Sequence, residues 1–206
     1  MHIGAGLLDE PGLWAAHLPD ALVVVVSNDV VAPLYLDRVL RALRGREVLT
    51  RVLPDGEAQK TFDQWRELMA FLARHEARRD TCLVALGGGV TGDLAGFVAS
   101  TYMRGVPVVQ VPTTLLAQVD SSVGGKTGVN HALGKNLVGA FHQPRIVLID
   151  TATLDTLPDR ELSAGLAEVI KAGAIADAGF FAWLETNMDA LRARDPEAVA
   201  HAVQRS

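Results

Sequence analysis

The sequence predicts an α/β fold, in which a parallel-sheet domain is followed by the start of an all-helical domain. Apolar runs suited to buried strands occur at residues 21–27, 47–53, 81–86, 106–111 and 145–150, with helical patterns near 32–44 and 61–77 between them. This alternation is typical of parallel sheets whose strands are joined by helices. After Leu157 the pattern is helical only, so we expect one domain over residues 1–157 and a second beginning at residue 158 and continuing to 206.

Glycine is concentrated in one segment of the chain. Eleven of the 19 glycines lie between Gly87 and Gly139, whereas turn glycines are normally distributed one or two to a connection. Residues 101–150 also hold four basic and only two acidic residues, a local net charge of +2 in a chain of net charge −5. Close backbone approach beside positive charge indicates a site for a small anionic, phosphorylated ligand.

Composition excludes several classes of protein. The isoelectric point of about 5.6 and the lack of a clustered basic face argue against nucleic-acid binding. The longest plain apolar strand candidate, residues 21–26, is far shorter than a membrane span, and residues 1–10 do not resemble a signal peptide, so we expect a soluble, cytoplasmic protein. The single cysteine, Cys82, lies in an apolar run and is expected to be a buried, inert thiol. The six histidines show no paired metal-ligand spacing.

A glycine motif follows the third predicted strand. Residues 87–92 match G-x-G-x-x-G, between that strand and a short helix expected from about Asp93, where amide groups and the helix dipole could contact a pyrophosphate. In the usual dinucleotide fold the motif follows the first strand, with an acidic residue about 20 positions later for the ribose. Here Thr113 and Thr114 stand after the next strand instead. The pattern favours a nucleotide site of another lineage, and a tight turn remains the alternative.

Other polar residues are predicted at the same edge of the sheet. Glu57 follows the second strand and could accept ribose hydroxyls, with Lys60 pairing with it; the alternative is a capped turn that opens a helix. Thr113 and Thr114 could donate hydroxyls to a ligand or cap the next helix.

A glycine-rich loop is expected to extend to about Pro144. It would hold Asp120, Lys126, Lys135 and Asn136, and its lysines are either solvated or part of an anion site.

The helical part carries a pair of opposite charges. Glu168 and Lys171 are three residues apart on one helix face, which by itself predicts a surface ion pair. The three tryptophans, Trp14, Trp65 and Trp183, occur at helical apolar spacings and are expected to be packing residues.

Several of these segments, in this order, resemble the 3-dehydroquinate synthase family. They are PDGE with Lys60, LGGGVTGD, VPTTLLAQVDSSVGGKTGVN, LGKN and GLAEVIK, and the resemblance covers essentially the whole chain. It implies conversion of 3-deoxy-D-arabino-heptulosonate 7-phosphate to 3-dehydroquinate with loss of phosphate, in the shikimate route to aromatic amino acids. It also implies NAD, a divalent metal (zinc or cobalt), and a homodimer.

The resemblance implies roles for matching positions. The NAD site would comprise Asp55, Gly56, Glu57, Ala58, Gln59, Lys60, Gly88, Gly89, Val90, Thr91, Gly92, Asp93, Thr113, Thr114, Thr153, Leu154, Asp155 and Thr156. The substrate and nicotinamide side would involve Asp120, Lys126, Lys135 and Asn136, with Lys126 and Lys135 serving both ligands. Arg104 would contact the substrate phosphate, often across a dimer interface in this family. Glu168 would be a metal ligand, with Lys171 beside the substrate.

Two departures from the family pattern limit what this chain is expected to do. Asn28 stands where many relatives have an aspartate for the adenosine ribose, so either Asn28 or Asp29 takes that role. The family's two metal-binding histidines lie in a helical region that does not occur before Ser206, and the chain begins partway along an expected strand. A catalytic metal needs about three protein ligands. We therefore expect a nucleotide-binding fragment with poor or no turnover alone.

Three other functions share parts of this pattern. A sugar phosphate cyclase that makes deoxy-inosose or a valiolone would use the same NAD motifs. A metal-dependent dehydrogenase of the glycerol type would share the glycine turn but release NADH. A non-catalytic remnant would bind NAD without releasing phosphate.

Overall fold

The computed structural model describes all 206 residues. The strands are β1 (His2–Gly4), β2 (Val23–Asn28), β3 (Val48–Leu53), β4 (Cys82–Gly87), β5 (Val108–Pro112), β6 (Lys126–His131), β7 (Gly134–Phe141) and β8 (Ile146–Asp150). The helices are α1 (Pro11–His17), α2 (Ala32–Ala42), α3 (Phe62–Arg74), α4 (Gly89–Thr101), α5 (Asp159–Ala176), α6 (Ala178–Arg192) and α7 (Pro196–Arg205). Short 3₁₀ turns cover residues 7–9, 57–59, 102–104 and 151–156, and a π-helical turn covers residues 117–121.

Six strands form one parallel sheet in the order β1-β8-β5-β4-β2-β3. Every residue of β2, β4, β5 and β8 is buried, because helices cover both faces of the sheet. This burial explains why these strands are continuous apolar runs rather than alternating ones. The predicted parallel sheet is confirmed, although β5 spans Val108–Pro112 instead of residues 106–111.

The side chains of successive strand residues enter two different cores. Val24 and Leu83 belong to the core under α3 and α4, whereas Val23 and Val84 belong to the core under α1 and α2. Trp14 of α1 is fully buried in the second core, which confirms its expected packing role. The sequence patterns did not predict α1, which is only seven residues long and begins with a proline.

Two elements in the glycine-rich segment differ from the sequence expectation. Helix α4 begins at Gly89 rather than at Asp93, because the chain turns into the helix directly after β4 ends. Residues 126–141 form an antiparallel hairpin, β6–β7, rather than a loop. Gly139 permits this hairpin, since a Cβ there would lie 2.0 Å from the carbonyl oxygen of Thr127 on the facing strand. The glycines here therefore allow the two strands to approach each other closely, and they do not form a flexible loop.

The helices from residue 159 onward share a third core with the end of the sheet. Ile149 of β8 packs in one cluster with Leu166 of α5 and Leu184 of α6. Helix α5 lies close to the start of the π-helical region, because Gly165 packs against the side chain of Leu115 and the backbone of Leu116. No helix in the structure is long and apolar enough to cross a membrane.

A buried carboxylate joins the two ends of the sheet domain. Asp150, at the end of β8, is fully buried and accepts hydrogen bonds from the backbone N–H groups of Gly6 (2.8 Å), Leu8 (3.1 Å) and Ala152 (3.1 Å). The guanidinium of Arg38 lies 3.6 Å away. These contacts hold the segment after β1 against the last strand.

Candidate functional site

The carboxyl ends of β2, β3, β4 and β5 meet at one edge of the sheet, where polar residues contact each other across the strands. The Asn28 amide donates to Asp55 Oδ1 (2.6 Å), and the Asp55 backbone N–H donates to Asp29 Oδ1 (3.0 Å). The Thr113 N–H donates to the carbonyl of Gly87 (3.0 Å). Ligands of parallel sheets bind at such an edge.

The glycine turn exposes the beginning of α4. Gly88 is extended and immediately precedes the helix, and a Cβ on Gly89 would lie 2.9 Å from Ser121 Oγ. Without side chains there, the unpaired amide groups of the first helical turn remain open to an anion, which the helix dipole also favours. Val90, Thr91 and Gly92 continue this turn.

Two hydroxyls near the glycine turn are buried without a hydrogen-bond partner. They are Thr113 Oγ1 and Ser121 Oγ. Buried polar groups are nearly always paired in folded proteins, so these two hydroxyls have hydrogen-bonding capacity that the protein itself does not use. Thr114 differs, since its hydroxyl accepts from the Ala117 N–H (3.2 Å), which is the capping role anticipated as its alternative.

Lys60 forms a largely buried ion pair with Asp93 in the first turns of α4. The sequence expectation that Lys60 pairs with Glu57 is wrong, because Lys60 turns inward toward α4 while Glu57 faces the hairpin. Burial raises the pKa of Asp93, and the negative charges of Glu57 and Asp120 act in the same direction; the contacts with Lys60 oppose this rise. The ion pair therefore places one positive and one negative charge next to the glycine turn.

The hairpin contacts the 55–60 loop through Asn130. Its amide Nδ2 donates to Glu57 Oε1 (2.8 Å), and its Oδ1 accepts from the backbone N–H of Asn136 (3.0 Å). Lys135 Nζ lies 3.9 Å from the same carboxylate oxygen of Glu57. The glycine-rich hairpin and the loop after β3 are thus held together at this edge.

A cavity of about 480 Å³ lies between α4, the π-helical turn and the hairpin. Asp93, Asp120, Lys126 and Asn136 line it, so the structure brings these four predicted residues together. Asp120 is on the π-helical turn and Lys126 begins β6, while Asn136 is on β7. The expectation that these residues hang on a loop is therefore wrong. Ser121 also lines the cavity and was missed, because neighbouring serines carry no spacing signal.

Other predicted residues lie outside this cavity. Arg104 is exposed on a turn where Met103 (φ 48°) and Arg104 (φ 66°) are both left-handed. Lys135 is three-quarters exposed beside Glu57. Thr153 and Leu154 are buried below the carboxyl edge, and the Thr153 hydroxyl donates to the carbonyl of Asp150 (2.8 Å).

The remaining residues of the predicted 153–156 segment differ in their contacts. Thr156 contacts the Tyr35 hydroxyl at 2.5 Å, and Asp155 lines a separate small cavity of about 70 Å³. The buried members of the segment hold β8 in place, and only the exposed ones are accessible to a ligand.

Glu168 and Lys171 form the ion pair that their spacing predicts. The hydrogen bond from Lys171 to Glu168 raises the pKa of the Lys171 ammonium, with a smaller contribution from Asp120. No group of three His, Cys, Asp or Glu side chains in the chain is arranged to hold a metal ion. Glu168 therefore has no neighbouring side chains of these types with which it could form a metal site among these 206 residues.

Solved structures with this architecture include sugar phosphate cyclases. A 2-epi-5-epi-valiolone synthase from Streptomyces hygroscopicus subsp. jinggangensis, solved with NAD⁺ and Zn²⁺, is 32% identical with a TM-score of 0.91, over 99% of this chain and 57% of that one. A 2-deoxy-scyllo-inosose synthase complexed with carbaglucose-6-phosphate, NAD⁺ and Co²⁺ is 28% identical with a TM-score of 0.77, over 96% of this chain and 58% of that one. The fold is therefore that of the NAD-binding sugar phosphate cyclases.

Family models identify the chain more narrowly. The model for the 3-dehydroquinate synthase N-terminal region matches residues 50–164, and the model for the C-terminal region matches residues 165–206. The 3-dehydroquinate synthase of Methylococcus capsulatus is 63% identical over the whole chain, which spans 57% of that relative's length. The chain belongs to the 3-dehydroquinate synthase family.

Proposed function

We propose that the chain supplies the NAD-binding edge and part of the substrate site of a 3-dehydroquinate synthase. The reaction would convert 3-deoxy-D-arabino-heptulosonate 7-phosphate to 3-dehydroquinate and phosphate, in the shikimate pathway. The observation that carries the proposal is the convergence of Asp93, Asp120, Lys126 and Asn136 on one cavity beside the glycine turn. The 63% identity to a named 3-dehydroquinate synthase supports the same reaction.

The residues at the glycine turn fit a dinucleotide. The open amides of α4 and the unpartnered Thr113 and Ser121 hydroxyls offer donors to a pyrophosphate and its flanking groups. When bound, NAD would supply a transient hydride acceptor. The protein's own part is to hold the dinucleotide firmly enough for it to remain between the two hydride transfers.

The 55–60 loop would receive the adenosine side of NAD. Both polar atoms of the Asn28 amide are used internally, since Oδ1 accepts from the Val31 N–H (2.7 Å) and Nδ2 donates to Asp55. Asp29 is exposed and uses one carboxylate oxygen to accept from the Asp55 N–H. We therefore assign the ribose contact to Asp29 rather than to Asn28, with Glu57 as a second acceptor.

The cavity would hold the sugar phosphate. Lys126 provides a mobile cation for phosphate oxygens, and Asn136 provides an amide that can donate to or accept from hydroxyls. As the phosphate ester bond breaks, negative charge grows on the departing oxygen, so a nearby ammonium stabilises the transition state more than the ground state. Asp120 lies across the cavity and would accept from a substrate hydroxyl.

The metal finds only one proposed ligand in this chain. Glu168 is paired with Lys171, and a zinc or cobalt site needs about three protein ligands. The residues present do not make a complete metal site. We propose Glu168 as one of its ligands.

Arg104 requires a partner surface for its proposed role. Its exposed, left-handed turn lies outside the cavity, so a contact with substrate phosphate would fit a homodimer in which Arg104 reaches the site of the other copy. Light scattering on the purified protein tests the oligomeric state, and a monomer at all concentrations would contradict the proposal.

We also propose a cytoplasmic location, which the free, buried thiol of Cys82 suits; cell fractionation tests it.

Calorimetric titration with NAD tests the central proposal. Wild type should bind NAD, and Gly89→Val should abolish binding, because its side chain would occupy the approach between the α4 amides and Ser121. Gly12→Val is the matched control, since nothing lies within 4 Å of a Cβ at that helical position. Equal NAD affinity in wild type and Gly89→Val would refute the assigned site. Phosphate release from the heptulosonate phosphate is the accompanying activity assay.

A sibling cyclase reaction is the second candidate. The likeness to the valiolone synthase, with its TM-score of 0.91, favours this reaction over that of a glycerol-type dehydrogenase. Phosphate release from other sugar phosphates, with none from the heptulosonate phosphate, would support this second candidate.

A further inference from the structure

Asn130 lies between the two halves of the candidate site and contacts both of them. It is on β6, between the proposed substrate residue Lys126 and the tip of the hairpin. Its backbone N–H donates to the carbonyl of Lys60 (2.8 Å), and its side-chain Nδ2 donates to Glu57 (2.8 Å). Two atoms of Asn130 are therefore tied to the loop that would bind the adenosine side of NAD.

The third contact of Asn130 holds the hairpin itself. Its Oδ1 accepts from the backbone N–H of Asn136 (3.0 Å), a residue that has a left-handed backbone (φ 56°) and lines the cavity. Asparagine adopts this conformation more readily than other non-glycine residues, but contacts are still needed to select it over the right-handed one. The hydrogen bond to Asn130 is such a constraint, and it orients the segment that carries both Lys135 and Asn136.

We propose that Asn130 is a positioning residue that couples the nucleotide loop to the substrate hairpin. One planar amide binds the Glu57 carboxylate with its nitrogen and the Asn136 backbone with its oxygen, so the two ends cannot rotate independently. A nucleotide that draws Glu57 toward its ribose would shift the Asn130 amide and, through it, the backbone of Asn136. The inference rests on the proposed function for its ligand, but the coupling itself is a property of the protein without ligand.

The geometry also predicts which substitutions separate the contacts. Asn130→Asp keeps an oxygen for the Asn136 N–H but places a carboxylate against Glu57, so it should break only the loop contact. Asn130→Ala removes both side-chain contacts. Asn187→Ala is a matched control, because Asn187 is on α6 and its amide bonds only within that helix.

Hydrogen exchange at the Asn136 amide, followed by NMR on the whole chain, tests the coupling without ligand. Asn130→Ala should speed this exchange about three- to tenfold, as expected for one solvent-accessible hydrogen bond. Glu57→Ala should also speed it in the wild-type background but should have no effect in Asn130→Ala. Unfolding curves matching those of Asn187→Ala would confirm that each variant is folded.

The outcomes separate the two proposals. Unchanged Asn136 exchange in Asn130→Ala, or an equal effect of Glu57→Ala with and without the Asn130 side chain, would overturn the positioning role whether or not NAD binds. In a second experiment, with NAD added, exchange at the Asn136 amide should slow in the wild-type protein but should not slow in Asn130→Asp. Absence of NAD binding to wild type would refute the proposed function and leave the ligand-free cycle to decide the coupling. NAD binding with undiminished protection in Asn130→Asp would refute the coupling alone.

Discussion

Replacing Lys60 by methionine should destabilise the protein through the charge that it leaves behind. The side chain of Lys60 is only 5% exposed and that of its partner Asp93 is 19% exposed, so Lys60→Met leaves a poorly solvated carboxylate. Removing one partner of a buried pair typically costs 3–5 kcal/mol, and the residual exposure of Asp93 places our expectation at the lower end, about 3 kcal/mol at neutral pH. With a urea m-value of about 2 kcal/mol/M, the unfolding midpoint should fall by roughly 1.5 M.

The pH dependence of this loss has a definite sign. Burial raises the pKa of Asp93 above its ordinary value of 3.8, and Lys60 is what opposes that rise. The folded state therefore holds a proton that the unfolded state has released, and the stability contributed by Asp93 falls as the pH rises through the window above 3.8. Without Lys60 the window extends to higher pH, so the Lys60→Met protein should recover stability as the medium is acidified toward that window.

Urea unfolding of Lys60→Met, Asp93→Asn and the double variant provides the test. The double variant should be clearly more stable than Lys60→Met, because it removes the uncompensated charge. If the single Lys60→Met variant and the double variant unfold at the same urea concentration at neutral pH, the loss comes from packing and the electrostatic reasoning is refuted.

Three further predictions concern the packing of the sheet and helices. Asp150→Ala should lower the free energy of unfolding by about 3 kcal/mol in urea titrations, since it leaves three backbone N–H groups unpaired at about 1 kcal/mol each; a loss below about 1 kcal/mol would contradict this. Gly165→Ala should destabilise by about 1–3 kcal/mol, because the new Cβ would lie 2.5 Å from that of Leu115 and 2.7 Å from the Leu116 nitrogen, whereas the open position Gly12→Ala should be neutral or stabilising by thermal melts. Cys82 should resist thiol reagents at pH 8, since burial raises the pKa of its thiol to about 12, and labelling faster than global unfolding would show a local opening.

The buried strands were predictable because their chemistry is local. A strand covered on both faces must be a continuous apolar run, and residues 21–27 and 81–86 show this directly. The carboxyl ends of parallel strands also lie at the same edge of a sheet. The contact between Asp55, after β3, and Asn28, at the end of β2, could therefore be anticipated. The boundary residues of each element were less certain, as the start of α4 at Gly89 demonstrates.

The contacts that depend on three-dimensional approach were not predictable. Lys60 and Asp93 are 33 residues apart, and nothing in their spacing distinguishes that pair from one between Lys60 and Glu57. The β6–β7 hairpin was hidden because glycine normally weakens strands, whereas here Gly139 allows the two strands to touch. The buried, unpaired state of the Ser121 hydroxyl depends on the residues packed around it in three dimensions, so the sequence could not predict it.

The position of β1 in the sheet delays its pairing during synthesis of the chain. It pairs only with β8, which ends at residue 150, so the opening residues have no partner until that strand has left the ribosome. At about 5–20 residues per second, this delay is roughly 7–30 s. During that interval the segment around β1 lacks the strand that it pairs with. Its backbone groups are unpaired, and a chaperone can bind there.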